Sequence, residues 1–429
     1  MTAAIRIDSI DAAVDYVLDK IPGEIVLGIP LAIGKPNPFV NTLYRRIKAN
    51  PARKLRIITA LSLERPVGKS ELEQHFLDPL VERVFEDYPD LEYVKDLRGP
   101  GLPPNIEVCE FFMKTGDYLG NEPAQQNYIS TNYTFVARDM ELMGMNVMAQ
   151  AVAARETEGG LRLSLSSNPD VVLEVMEKFR ARKTPIIAVG VINHKMPFMP
   201  NTADVSPDFF DVVVTDPAGT HTIFAPPNNK VTAADYAIGL HASSFVEDGG
   251  TLQIGIGSLG DAIGQSLIVR DRHGAEYRSI LESLCPDGLD GRSLGRFDQG
   301  LYGCSEMFVN GFLRLIEAGI IRREVFNDVT LQTLLNTGAI ADAKVTPATL
   351  KALLDAGRIH SPLTQADLDF LTRFGIFKPG VALKGDHLVF DGVPLPNDLR
   401  GEAQFDAVCK ILLNTGAIAD AKVTPATLK

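Results

Sequence analysis

A chain of 429 residues is long enough for two or three domains with full cores, and 45% apolar with 22% charged residues is ordinary for a soluble globular protein. The formal charge of -12 argues against general binding of nucleic acid or an anionic membrane surface and leaves room only for a local basic groove. Four scattered cysteines, Cys109, Cys285, Cys304 and Cys409, form neither a disulfide framework nor a CxxC pair, so the expectation is a reducing cytoplasmic compartment and no bound metal.

The opening MTAAIRIDSIDAAVDYVLDK reads as an amphipathic helix capped near Asp8 or Ser9. It carries acidic residues where a secretory leader is basic, and no apolar run in the chain approaches the roughly 20 residues of a membrane helix. Next, EIVLGIPLAIGKPNPFVNTLYRRI predicts a strand, a loop holding Gly28, Pro30, Gly34 and Lys35, and a helix. In open α/β sheets such a loop lies at the carboxyl end of a strand, where ligands bind, although a plain connecting turn has the same composition. KLRIITALSL predicts a strand, and Ser70 with Glu73 forms a capping box for ELEQHFLDPLVERVF. The alternation continues through strand IEVCEFFM, a helix across QQNYISTNYTFVARDM, strand NVMAQAVA, the stretch RLSLSSNPDVVLEVMEKFRARK and strand TPIIAVGVIN. Alternating strands and helices predict a parallel sheet covered on both faces. Asn193 and Lys195 follow the last of these strands and are candidate substrate contacts, or else a capping Asn and a solvated Lys.

A Pro, Gly and Asn-rich stretch at 216–229 predicts a domain boundary. Thr232 then caps a helix through TAADYAIGLHASSFV that ends at Gly249 and Gly250, and strand TLQI runs into GIGSLGDAIGQSLIV. Gly255, Gly257 and Gly260 match GxGxxG between a strand and a helix, a place where backbone approaches a phosphate closely. A nicotinamide site also needs an acidic residue at the end of a second strand; RDRHGAEYRSILES is helical instead. The loop therefore suits a phosphate or a thioester.

Residues 298–319, DQGLYGCSEMFVNGFLRLIEAG, are the stretch most suggestive of chemistry. A turn from Gly300 to Gly303 delivers Ser305 as N-cap, with Phe308, Phe312, Leu315 and Ile316 at helical spacing and Gly319 as terminator. Glu306 then falls in the first helical turn, where N–H groups and the helix dipole favour its ionised form. An ionised carboxylate is a nucleophile that needs no partner base; equally, a first-turn acid can serve only to stabilise its helix. Cys304 has no His near it in sequence, while His221 and His241 lack ligand spacing. Beyond Asn327 the sequence predicts a helix in TPATLKALLDAG with Thr346 as N-cap and Pro347 at N1, a second helix in TQADLDFLTRFG, and a hairpin in VALKGDHLVFDG. Residues 334–351 recur unchanged as 412–429, which is unlike the drifted copies of a repeat architecture.

Together, VLGIPLAIGKPN, GVINHKMPFMP, the run from FAPPNNKVTAADYAIGLHAS through DGGTLQIGIGSLGDAI, and GLYGCSEMFVNGFLRLIEAGII resemble the acetyl-CoA hydrolase/transferase family, the class I CoA-transferases. They occur in order across most of residues 1–326. The resemblance implies an α/β fold with open parallel sheets and helices on both faces, in two CoA-transferase-like domains, 1–225 and 226–429. It implies a small acyl-CoA substrate and Glu306 as covalent nucleophile, with Gly34, Lys35, Asn193, Gly255, Gly257 and Gly260 around substrate and CoA. Coenzyme A would be a substrate rather than a resident cofactor, a small carboxylate the second reactant, and a homo-oligomer a further expectation. Members of the family continue into a glycine loop of GxGG type that is not found here, so the second domain reads as incomplete. Two alternatives follow: a catalytically incomplete CoA-binding or assembly subunit, and, from GxGxxG alone, a nucleotide-dependent oxidoreductase.

Overall fold

The computed structural model describes residues 3–169, 171–225, 230–305, 308–341 and 345–418. They form two compact units, divided between Ile321 and Arg322.

The first unit opens with a strand, β1 (Ile5–Ile7), inside the stretch expected to be helical, before α1 (Ile10–Lys20) begins behind its N-cap Ser9. Three alternating residues are too few to register against a helical period, and what makes them a strand is parallel pairing with Val212–Val214. Then come β2 (Ile25–Gly28), α2 (Asn37–Lys48), β3 (Leu55–Thr59), α3 (Glu71–Val84), α4 (Glu92–Arg98) and β4 (Ile106–Glu110). Ser70 caps α3 through the Glu73 N–H at 3.3 Å, but the Glu73 carboxylate accepts from the Lys69 N–H at 2.6 Å, one residue short of a reciprocal box. The single helix expected across QQNYISTNYTFVARDM is two, α5 (Glu122–Gln126) and α6 (Val136–Leu142). The chain between them is drawn back to the sheet, since the Ile129 N–H donates to Glu110 O at 2.9 Å. The unit's first sheet is completed by β5 (Val147–Thr157), β6 (Gly160–Ser164), α7 (Val172–Arg182), β7 (Ile187–Ile192), β8 (Asp204–Val205) and β9 (Val212–Val214).

Its strand order is β1-β9-β7-β5-β2-β3-β4, with every neighbouring pair parallel; β6 and β8 extend it as an antiparallel flap on β5. Alternate strand residues feed two cores. Ile25, Leu27, Ile57, Val189, Val191, Val212 and Val214 pack with α1, α2 and α4 on one face. Val26 and Ile58 face α6 and α7 on the other, and Met148, Ala188, Ile192 and Val213 pack there against α7. A sheet buried on both faces needs apolar residues at both phases of the strand, which is why these strands read as unbroken apolar runs.

The first unit continues with α8 (Ala233–Ser243), β10 (Thr251–Gln253), α9 (Ser258–Arg272), α10 (Gly274–Leu284), β11 (Tyr302–Cys304) and α11 (Asn310–Glu317). α8 has the Thr232 cap, with Asp235 closing a reciprocal box, but stops at Ser243 rather than at Gly249. There the Ser243 and Ser244 hydroxyls donate back to Leu240 O (2.9 Å) and His241 O (2.6 Å). β10 and β11 pair in parallel as a second sheet.

The second unit holds α12 (Val329–Asn336), α13 (Pro347–Asp355), α14 (Gln365–Arg373), β12 (Ala382–Lys384), β13 (His387–Phe390), β14 (Val393–Leu395) and α15 (Glu402–Asn414). The hairpin expected in VALKGDHLVFDG is there, extended by β14 into a three-stranded antiparallel meander. All four helices end alike: Gly338, Gly357, Gly375 and Gly416 take φ between 66° and 75°. The N–H groups of Ile340, Ile359, Phe377 and Ile418 then bond back to Leu334, Leu353, Leu371 and Leu412, burying an apolar residue after each glycine. Both copies of the duplicated segment start in the last turn of a helix and carry this closing signal. The second copy lies outside the described residues from position 419 onward.

Candidate functional site

Strands β10 and β11 run side by side in register, Thr251 opposite Tyr302, Leu252 opposite Gly303 and Gln253 opposite Cys304. Parallel pairing puts both carboxyl ends on one edge, the edge at which open α/β sheets bind ligands. From β10 the chain enters the loop at Gly255 and Gly257; from β11 it enters Ser305 and the candidate Glu306. Past the paired residues the two segments stay joined, with the Ile254 N–H donating to Cys304 O (3.4 Å) and Ser305 Oγ donating to Ile254 O (3.0 Å).

The turn expected from Gly300 to Gly303 is shorter: Gly300 has a turn glycine's φ of 83°, but Tyr302 and Gly303 already belong to β11. Gly303 lies in the strand opposite Leu252, at a position where only glycine fits, since a Cβ there would come within 2.3 Å of the Phe312 ring. α11 begins only at Asn310, with Val309 at its N-cap, so Ser305 does not cap it; its hydroxyl is drawn to Ile254 instead. Glu306 and Met307 lie outside the described residues. Burial raises the Cys304 thiol above its ordinary pKa, which keeps it protonated and a poor nucleophile.

The glycine loop opens α9 with Gly257 at the N-cap, at φ 130°, and no side chain caps the helix. The first turn therefore leaves backbone N–H groups available to an external acceptor, with the positive end of the helix dipole behind them. At Gly260 a Cβ would stand 2.5 Å from Gly255 O, so the loop folds tightly on this turn only with glycine there. α10 follows α9 directly, in the place where a dinucleotide fold requires a second strand with its ribose-binding acid.

Asp248, which the sequence reading passed over, fixes the approach to β11. Its carboxylate accepts the N–H groups of Asp298, Gln299 and Gly300, each at 2.9 Å, and of Gly249 at 3.0 Å. Partial burial raises its pKa, but the four donors together lower it further, so the net shift is downward. An acid just before a Gly-Gly turn was the one clue in the sequence. Arg270 is almost fully buried and ties the same region: Nη1 donates to Ser243 O (2.9 Å) and Val246 O (2.5 Å), Nε donates to Gly295 O (2.7 Å), and the guanidinium lies over Phe297.

The other predicted residues belong to the first sheet. Its strand order reverses between β2 and β5, and the Gly34–Lys35 loop follows β2 at that switch point. Gly34 is buried and its N–H donates to Asn168 Oδ1 at 3.0 Å. Lys35 is buried too, donating from Nζ to Ala60 O (2.6 Å) and Leu61 O (3.2 Å). Near it Glu110, at the end of β4, accepts from the Ser62 hydroxyl, which also bonds Tyr93 Oη at 2.7 Å. Burial pushes the Glu110 carboxyl up, against the opposing pull of Ser62 and of the Lys35 charge. Asn193 is buried at the end of β7, donating to His221 O (3.0 Å) and accepting the Lys195 N–H (3.0 Å). Lys195 is paired with Glu86 and Asp87. Burial holds the His221 imidazole below its ordinary pKa, hence neutral. Thus Gly255, Gly257 and Gly260 share an edge with the strand leading to Glu306, whereas Gly34, Lys35 and Asn193 are built into the carboxyl edge of the first sheet. Among the described residues no three His, Cys, Asp or Glu side chains gather as a metal site, and no helix is long and apolar enough to cross a membrane.

No family model matches the chain, and no curated protein does. Among solved structures it is similar to RipA from Yersinia pestis, at 15% identity and a TM-score of 0.46, over 72% of this chain and 58% of that one. It is also similar to a 4-hydroxybutyrate CoA-transferase from Porphyromonas gingivalis, at 17% identity and a TM-score of 0.39, over 73% of this chain and 57% of that one. The chain therefore spans less than two thirds of the length of the solved structures it matches.

Proposed function

We propose that the protein acts on a small acyl-CoA, as a CoA-transferase or an acyl-CoA hydrolase, through a glutamyl-CoA thioester on Glu306. The observation that carries this reading is the uncapped first turn of α9 behind a glycine loop, on the same edge as the strand that leads to Glu306. In the reaction a Glu306 carboxylate oxygen adds to the thioester carbonyl, the C–S bond breaks, and CoA leaves as thiolate from a mixed anhydride. The thiolate then adds to the glutamyl carbonyl, expelling the free carboxylate and leaving CoA bound to the enzyme as a thioester. A second carboxylate reverses these steps and departs as its CoA ester; water in its place gives hydrolysis, so exclusion of water decides between the two outcomes. Each addition builds an oxyanion, and the free N–H groups of the α9 first turn are the donors this reading assigns to it.

The test is to incubate the full chain with acetyl-CoA, trap with hydroxylamine or borohydride, and map the product by mass spectrometry. A modified Glu306 is expected; a chain that binds CoA yet carries no adduct there refutes the mechanism. A second reading, a CoA-binding or assembly subunit without turnover, is favoured by one observation: among the described residues the second sheet has only the strands β10 and β11. It predicts CoA binding with no turnover, and steady hydrolysis by the purified chain would exclude it.

A further inference from the structure

Helices α8, α9 and α11 line a solvent-open cavity of about 180 Å³, with Tyr236, Asn310 and Arg314 themselves exposed, that none of the groups considered so far uses. Its polar lining is Tyr236 from α8, Asp261 and Gln265 from α9, and Asn310 and Arg314 from α11. Gly264 and Gly311 let the backbones of α9 and α11 touch, a Cβ on Gly264 falling 3.6 Å from Gly311 Cα, and this brings the two polar faces together. Among the described residues, the Arg314 guanidinium and the Asp261 carboxylate make neither a hydrogen bond nor an ion pair, with each other or with anything else. The cavity thus presents, among the described residues, one free cation, one free anion, two carboxamides and the phenol of Tyr236. Neither α9 nor α11 has a side-chain cap; Asp261 sits in the first turn of α9 and Asn310 opens α11, while Arg314 lies in the last turn of α11, so the positive charge that faces a ligand is that of Arg314 itself.

These groups define a ligand. The cationic side calls for a carboxylate, which a guanidinium can hold through two parallel hydrogen bonds. Asp261 can only accept, so the ligand must offer a hydroxyl or an ammonium at its other end. At about 180 Å³ the cavity falls below the roughly 300–1,000 Å³ of pockets that take drug-sized ligands, which suits an acid of few carbons and not a nucleotide. We propose that this cavity binds a small hydroxy or amino acid, its carboxylate on Arg314 and its hydroxyl or ammonium on Asp261. Resting on the acyl-CoA reading above, this acid is the one that gives or receives CoA, since α9 carries both the glycine loop and Asp261.

The experiment is calorimetric titration of the full chain, without any CoA compound, with lactate, 3-hydroxypropionate and alanine, and with propionate as the acid lacking a second polar group. At least one of the first three is expected to bind about tenfold more tightly than propionate, the difference one hydrogen bond to a charged group makes. Arg314→Gln should weaken every acid about tenfold, whereas Asp261→Asn should remove the preference over propionate and leave propionate binding unchanged. Circular dichroism melts of both variants check that the fold is kept. Absence of binding by all four acids at millimolar concentration overturns the proposal, as does equal affinity for all four, or wild-type affinity in Arg314→Gln. Because no CoA is present, acid binding that persists when Glu306 fails to be trapped refutes the acyl-CoA reaction and sustains the acid site.

Discussion

Asp248→Asn is the most informative single change outside the proposed chemistry, because the structure fixes what it removes. In the native chain Oδ1 accepts from Gly249 and Gly300, and Oδ2 from Asp298 and Gln299. An asparagine keeps one acceptor oxygen and turns an NH₂ group toward two backbone donors. Two charge-assisted bonds at about 1.5–3 kcal/mol each would cost about 3–6 kcal/mol if fully buried. Asp248 is only half-buried and water replaces part of the loss, so the expected cost is about 2–3 kcal/mol. The effect is local to the first unit, so the assay is hydrogen exchange by mass spectrometry on the peptide covering 296–305, beside denaturant unfolding. The folded pKa of Asp248 lies below its ordinary value of 3.8, so its stabilisation is complete above that value and disappears as pH falls through the lower, folded one. Wild type and variant should therefore differ at neutral pH and converge in acid. Unchanged protection of 298–300 at neutral pH, or a stability difference that persists undiminished in acid, refutes the reasoning.

Arg270→Met removes the donor to the carbonyls of Ser243, Val246 and Gly295, of which Ser243 O keeps only the Val246 N–H at 3.3 Å, and should destabilise the first unit by about 3 kcal/mol in denaturant titration. Arg270→Lys should recover only part of this, because one ammonium cannot span three carbonyls that a planar fork reaches. Glu110 behaves oppositely to Asp248: with its folded pKa raised above 4.5, its contribution is fully present below that value and is lost as pH rises through the folded pKa. Relative to Glu110→Gln, the wild type should lose thermal stability as pH climbs from 4.5, and parallel curves for the two proteins would contradict this. Gly303→Ala drives a methyl into the Phe312 ring and should cost about 1–3 kcal/mol; Gly303→Ala with Phe312→Leu should recover part of it, whereas strictly additive losses would show that the ring is not what excludes the methyl.

Legibility in the sequence followed the range of the interaction that set each feature. The α/β alternation was legible because strands buried on both faces must be apolar at every position, and Ile25, Val26 and Leu27 go to opposite cores with no polar phase between them. The caps at Ser9, Thr232 and Thr346 were legible because a side chain and its N–H partner lie within one turn. β1 was not, because its strand identity is supplied by Val212–Val214, its neighbour in the sheet but far from it in sequence. The same rule explains Ser305. Its local neighbours fit an N-cap, and it is pairing between β10 and β11, fifty residues apart, that places its hydroxyl on Ile254 and delays α11 to Asn310. Gly303 likewise reads as a turn until Phe312 is seen above it. Short motifs therefore marked the right edge of the second sheet, and long-range pairing decided how its residues are used. The cavity of Asp261 and Arg314 lay outside any motif for that reason: its charges come from two helices that meet at Gly264 and Gly311, about fifty residues apart in sequence. A search of sequences for paired glycines on neighbouring helices, each with a charge three residues before or after it, is the signal that would have found it.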